Sequence, residues 1–282
     1  MKVADKYVVV NADDFGYSDE INEAIIEAHR NGILSSTSLM VTAEKAKSAV
    51  ELAKENPSLG VGLHLVLCCG KSALNPEQIP NLVNKEGLFH DSAAIAGLKY
   101  QFIPSAKQEL KREIKAQLDL FRETGLKLSH VDGHLHLHTH PIVIQILAQL
   151  APEYQIKFIR LPYEELNFTL KLDRTNPILK IIYANIFRWL RKSAEKPLST
   201  SGVQILDRVY GLLQTGNMSE SYLLGLIPQI KTIYNEIYFH PQSLTDQEYQ
   251  ALCSQKVQEI ISTEGFKVVN YFQLGKARGK DE

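Results

Sequence analysis

Several things are scarce in this 282-residue sequence, and each scarcity removes a class of function. There are only three cysteines, an odd count, and Cys68 and Cys69 are neighbours, which rarely pair with each other. No disulfide framework is implied, so a reducing compartment and a cytoplasmic location are expected. With nothing basic beside them, Cys68 and Cys69 read as buried small hydrophobes rather than nucleophiles. Charge of either sign is not in excess: 31 Lys and Arg against 32 Asp and Glu leave a formal net charge of −1. That balance gives no electrostatic case for nucleic acid as the main partner. No uninterrupted apolar run reaches the roughly 18 residues of a membrane span. Met1–Lys6 lacks the apolar core and small-residue cleavage site of a secretory leader. A Gly-rich phosphate loop and a Gly-x-Ser-x-Gly elbow are both missing. With no repeat, low-complexity tract or linker, residues 1–282 read as one domain.

What is present is an alternation of strand and helix patterns. Tyr7–Val10 is a β-branched and aromatic run that reads as a strand buried on both faces. It leads into two adjacent carboxylates, Asp13 and Asp14, and then Gly16 and Ser18 announce a turn and a helix start. That helix is expected to end at Asn31, with Gly32 as its stop. Further strands are expected at Thr37–Val41, Leu59–Leu67, Leu126–Val131, Ile156–Leu161, Ile233–Phe239 and Phe266–Val269. Helices are expected at Ala43–Glu55, Ala106–Thr124, Pro141–Leu150 and Leu244–Thr263. Residues 68–105 and 166–216 break the pattern and read as insertions, the first as a long loop of lid or substrate-binding type. Within the second, Pro177–Leu190 is strongly apolar with basic residues at Lys180 and Arg188 and just beyond at Arg191 and Lys192. It reads as a core or lid helix whose basic residues snorkel, the alternative being contact with a lipid surface or an apolar substrate. Strands alternating with helices, with polar residues at the strand carboxyl ends, predict an α/β protein built as a TIM-barrel-like (β/α)-barrel, distorted or incomplete.

Neighbouring residues on a strand face opposite ways, so Asp13 and Asp14 are expected to have different jobs. The plainer reading is a polar turn with one aspartate capping the next helix. The most unusual segment is Ser129–His140, where five of the nine histidines fall. If it stays extended, Asp132, His134, His136 and His138 share one face. A catalytic ion takes about three protein ligands and keeps one position open, so the other histidines would support the ligands or touch substrate. The competing reading is a polar strand end whose histidines merely hydrogen-bond their surroundings. His64 alone would be an ordinary core histidine, but it ends a strand on the same expected rim as Asp14 and His134. One carboxylate and two imidazoles suit zinc or another transition metal and are compatible with magnesium. Such an ion polarises a carbonyl and activates water, which leaves Asp13 as base. Arg160 stands where it would orient that base or hold an acidic substrate group, unless it is a surface ion pair. His240 ends a late strand and would protonate a leaving amine, unless it is a satisfied strand-end residue.

The motifs Asn11-Ala12-Asp13-Asp14-Phe15-Gly16, Gly62-Leu63-His64-Leu65-Val66-Leu67, His130-Val131-Asp132-Gly133-His134 and Phe239-His240-Pro241 resemble those of the YdjC-like (ChbG-type) carbohydrate deacetylases in order and spacing. Ser38–Val41, Leu65–Lys71 and His134–His138 are most similar to the branch associated with hopanoid biosynthesis. The resemblance implies a (β/α)-barrel deacetylase that hydrolyses the N-acetyl group of an acetylated amino sugar, a chito-oligosaccharide or an acetylglucosaminyl lipid. It implies a metal site of Asp14, His64 and His134, with magnesium as the family's usual ion and zinc equally suited to the ligands. By similarity to the wider polysaccharide deacetylases, Asp13 is the general base and His240 the acid, and Arg160–Tyr163 matches their Arg-x-Pro-Tyr motif. His136, His138 and Tyr163 are the implied substrate contacts. A homo-oligomer, a dimer, and peripheral membrane contact are also expected. Two other functions compete: a metal-dependent phosphoesterase or other amidohydrolase on a similar barrel, which needs carboxylates bridging two ions, and a non-catalytic sugar-binding module.

Overall fold

A computed structural model describes residues 5–279, so Met1–Ala4, part of the stretch read for a leader, lie outside it. The chain runs β1 (Lys6–Phe15), α1 (Asp19–Asn31), β2 (Ser36–Leu39), α2 (Ala46–Glu55), β3 (Gly60–Leu65), α3 (Ala93–Phe102), α4 (Pro104–Glu123) and β4 (Val131–Gly133). After a 3-10 segment at His134–Thr139 come α5 (Pro141–Tyr154), α6 (Leu166–Leu172), α7 (Pro177–Thr200), β5 (Arg208–Tyr210), α8 (Glu220–Leu226) and β6 (Tyr234–Phe239). The last elements are α9 (Gln247–Leu252), α10 (Gln255–Thr263), β7 (Phe266–Val268) and α11 (Tyr271–Ala277).

Every named strand pair is parallel, in the order β4-β3-β2-β1-β6-β5, and β7 pairs with the first residues of β1. β1 is central: Val10 lies opposite Ile237 of β6, and Ala12 opposite Thr37 of β2. Its Val8, Val9 and Val10 are buried, as a doubly covered strand requires. Beyond β4 the ring continues through isolated bridges, Val131 with Ile159 and Phe158 with Gln204, four residues short of β5. The result is a distorted TIM-barrel-like (β/α)-barrel. The expected strand at Ile156–Leu161 survives only as this bridging segment: Arg160 N–H donates to Val131 O and Ile159 N–H to Gln204 O.

Local signals account for most helix ends. Ser18 caps α1 by accepting from Ile21 N–H, and Gly32 closes it where an added β-carbon would come within 2.4 Å of Leu252 O. The expected helix Leu244–Thr263 is two helices, because Ser254 caps a new one by accepting from Val257 N–H. The first insertion holds a helix, α3, as well as loop. Its loop is tied down by buried acids of α4: Glu113 accepts from Ala73 and Leu74 N–H, and Glu109 from Asn81 N–H. Tethered backbone of this kind is not a free lid. In the second insertion α7 departs from the core reading: Lys180, Ala184, Ala194 and Leu198 are its buried residues, and its apolar side chains are largely exposed. Among the described residues no helix is long and apolar enough to cross a membrane.

Candidate active site

The site begins where β1 breaks its own pleat. The register with β2 shifts between Ala12 and Phe15, and Asp14 takes a left-handed backbone (φ 65°), which aspartate tolerates better than most residues. Gly16 (φ 97°) completes the turn, its N–H donating to Asn22 Oδ1 at 2.7 Å. The two aspartates therefore part company. Asp13 is buried against Arg160, while Asp14 reaches the histidines.

Asp14 Oδ1 lies 3.3 Å from His64 Nε2 and 3.0 Å from His134 Nδ1. Ligand atoms of the three residues all lie within 4.8 Å of one another. β3 and β4 run in register, with His64 opposite Asp132, and His64 Nδ1–H donates to Asp132 Oδ1 at 2.8 Å. That bond fixes the ring and turns Nε2 toward Asp14, as a carboxylate does for a metal-binding histidine. Ser38 Oγ–H holds the other oxygen of Asp132 at 2.6 Å.

Beneath this triad sits Arg160, fully buried. Its Nη1 and Nη2 donate to the two oxygens of Asp13 at 2.7 and 2.8 Å, a bidentate pair that fixes the carboxylate plane. Nη2 also lies 3.0 Å from Asp132 Oδ2, and Nε donates to Glu236 Oε1 at 2.8 Å. Tyr271 O–H donates to Glu236 Oε2 at 2.5 Å, and Asn11 Nδ2–H to Asp13 Oδ1 at 3.0 Å. The guanidinium stacks 4.6 Å from the centre of the Tyr238 ring.

Three carboxylates, those of Asp13, Asp132 and Glu236, gather round one guanidinium, while Asp14 is paired with His64 and His134. Burial works against ionising Asp14, but hydrogen bonds from His134 and His64 hold it well below the usual carboxylate range. Burial likewise opposes the Asp132 anion, yet Arg160 and His64 keep it well below that range. Burial disfavours a charged His64, but Asp132 and Asp14 overcome this and lift it to about 10. Burial raises Glu236 despite Arg160. One carboxylate with two imidazoles is a donor set that fits a divalent cation at the triad, and binding it would require His64 in its neutral form. A second set of neighbouring groups, Asp13, His64 and Asp132, shares His64 with the first, and both its carboxylates are engaged by Arg160.

The histidine run does not stay extended. β4 ends at Gly133, and His134–Thr139 winds into 3-10 turns with Leu135 (φ 49°) and His136 (φ 56°) left-handed. The shared face expected of Asp132, His134, His136 and His138 is therefore absent. His134 meets Asp14, His136 Nε2 meets the Tyr238 hydroxyl at 2.9 Å, and His138 Nε2–H donates to Arg160 O at 2.8 Å. His138 is fully enclosed, so it anchors the arginine's backbone instead of touching substrate. Burial lowers it to about 4 and pushes His136 well below its ordinary value, so both stay neutral beside Arg160. The Tyr163 ring is stacked by Arg191 and Arg208 at 5.1 and 4.6 Å. His240 does reach the cluster. Glu248 Oε2 accepts from its backbone N–H at 2.5 Å, and its Nε2 lies 3.7 Å from Asp13 Oδ2.

Reading the sequence missed Glu236, Ser38, Asn11 and Tyr238. An acid inside the apolar strand Tyr234–Phe239 was the one available signal. Asn11 and Ser38 stand inside motifs that carry the family resemblance, but small polar residues on strands are common and nothing in the sequence tells what they touch.

The model of the family described as YdjC-like protein matches residues 7–263. The chain is similar to proteins named carbohydrate deacetylase: that of Brevibacillus brevis is 44% identical over 156 residues, covering 55% of this chain and 59% of that protein. That of Geobacillus stearothermophilus is 41% identical over 152 residues, covering 54% and 58%. Each match thus spans under two thirds of the relative. A solved structure from Enterococcus faecalis V583, called a candidate cellobiose-phosphate cleavage protein, shares the fold with a TM-score of 0.72 at 24% identity, covering 96% of this chain and 99% of that one.

Proposed function

The chain belongs to the YdjC-like protein family, and from that premise we propose that it is a metal-dependent hydrolase that removes the N-acetyl group from an acetylated amino sugar. The observation that carries this reading is the meeting, at one end of the barrel, of Asp14, His64 and His134 with an arginine-clamped Asp13 and with His240. The deacetylase names of the relatives support the same chemistry.

Asp14, His64 and His134 would hold the cation, magnesium or zinc, which when bound supplies Lewis acidity toward the acetyl carbonyl and acidifies water. Asp13, its plane set by Arg160, takes the proton of the water that adds to the carbonyl carbon. Tyr238 and Asn11 hold the pair in place from either side. As the C–N bond breaks, His240 Nε2 gives its proton to the departing amine, and acetate and the free amino sugar result. His136, part-exposed beside Phe187, is the member of the histidine run that would meet substrate. A single ion suffices, since Arg160 already engages the carboxylates that a second would need. The three free thiols support action in the cytoplasm.

The test is to strip the protein of metal, reload it with magnesium or zinc, and supply acetylated chito-oligosaccharides and an acetylglucosaminyl lipid. Acetate should appear in step with free amine and vanish with a chelator. Metal-loaded protein that frees no acetate from either, yet releases phosphate from a phosphoester, overturns the reading.

A further inference from the structure

Two helices beside the site leave bare more apolar surface than scattered exposed residues would. On α7, Ile178, Ile182, Ile186 and Trp189 follow helical spacing along one stripe, Ile178 73% and Trp189 61% exposed. On α3, Ile95, Leu98 and Phe102 form a second stripe, with Phe102 73% exposed. Both helices pack on the His134–Thr139 segment. Phe187 of α7 lies edge-on to His136 at 5.6 Å, and Tyr100 of α3 edge-on to His140 at 6.3 Å. Between them Leu135, 53% exposed, follows directly on the cation-site residue His134. The apolar stripes thus border the segment that presents His134.

Charge decides what covers this face. The acids in this stretch are already matched, Asp173 with Lys180 and Glu195 with Arg191. Arg174, Arg188 and Lys192 are exposed and have no acidic partner among the described residues. A second copy docked by the same helix would set like charges near one another, because a two-fold contact matches a surface with itself. A neutral apolar solute would leave the cations unanswered. Hydrocarbon, an exposed tryptophan and unpaired basic residues on one helix together match an anionic bilayer surface. We infer that α7, with α3 beside it, docks this protein on an anionic lipid surface and holds the mouth of the site against it. The inference goes beyond the deacetylase reading and is tested without turnover, so the two fail separately.

Trp189 is the chain's one tryptophan, so its emission reports on α7 directly. The full chain is mixed with phosphatidylcholine vesicles, with and without phosphatidylglycerol, and followed by fluorescence and co-sedimentation. Emission should shift to the blue and protein should pellet with the anionic vesicles, less so at high salt. Arg188→Gln with Lys192→Gln should weaken binding about 25-fold, at roughly fivefold per cation. Ile182→Ser with Ile186→Ser should weaken it at least as much, and both pairs should keep the parent's melting temperature. Unshifted emission with protein left in the supernatant overturns the inference. So does equal binding to vesicles lacking phosphatidylglycerol, or a vesicle-free dimer that shifts Trp189 emission by itself.

Discussion

Around Arg160 the protein buries charge; along α7 it exposes hydrocarbon. The two regions reverse the ordinary partition of side chains in opposite senses, and they differ in how the reversal is compensated. At Arg160 the compensation is internal. One guanidinium meets Asp13, Asp132 and Glu236; Tyr271 holds the second oxygen of Glu236 and His64 that of Asp132, while Asn11 and Ser38 add bonds to Asp13 and Asp132. Nothing within the described chain compensates the bare stripe of α7. The first region is closed and specifies a geometry; the second is open and specifies a surface. Unmatched chemistry, more than burial itself, separates a site from a scaffold.

Breaking the closed region should have the largest effect. Arg160→Met strands three buried acids and should cost about 3–5 kcal/mol of stability, read from chemical denaturation. Next comes Asp13→Asn, which keeps the side chain's size but removes the proposed base and one of the two acceptors facing Arg160. Acetate release should fall by about 10²–10⁴-fold while metal content, measured by elemental analysis, stays at the parent level. Near-normal turnover would mean that another group takes the proton.

Glu164 sharpens the comparison, being a buried acid with no cation beside it. It accepts from Leu213 and Gly211 N–H, and burial lifts it to about 7 in spite of them. A raised carboxyl pKa means that the folded protein holds its proton where the unfolded chain has lost it. The group's contribution is then fully present below about pH 4.5 and is lost as pH rises through about 7, some 3 kcal/mol in all. Glu164→Gln should flatten that part of the stability–pH profile, measured by denaturation between pH 5 and 8; an unchanged slope would assign it elsewhere. The smallest effect belongs to the open region. Ile182→Ser should change stability by no more than about 0.5 kcal/mol, since the side chain has little burial to lose.

The polar half of the site was legible because its residues violate their surroundings. An acid pair after Val8–Val10, and five histidines in one short stretch, stand out against apolar strands. What sequence could not supply was conformation. Leu135 and His136 sit at positive φ, which is uncommon for any residue but glycine, so an extended run is the natural expectation. The segment bearing Arg160 makes single bridges on each edge, so its strand pattern overstates its ladder. α7 misleads for a different reason. Apolar residues at 178, 179, 181, 182, 183 and 186 spread over more than half of the helix surface, and an apolar face that wide ordinarily means a core. Periodicity reports which residues avoid water, not what they find instead.

The central place of β1 also bears on how the chain comes off the ribosome. Asp14, His64 and His134 are all made before β6 and β7, which cover one side and the base of β1. Until Tyr234–Phe239 emerges, the strand bearing both aspartates keeps one edge without hydrogen-bond partners, the situation in which nascent sheets pair wrongly. Closing so distant a contact is slow. Asp14, His64 and His134 are therefore all made well before the barrel that orients them is shut.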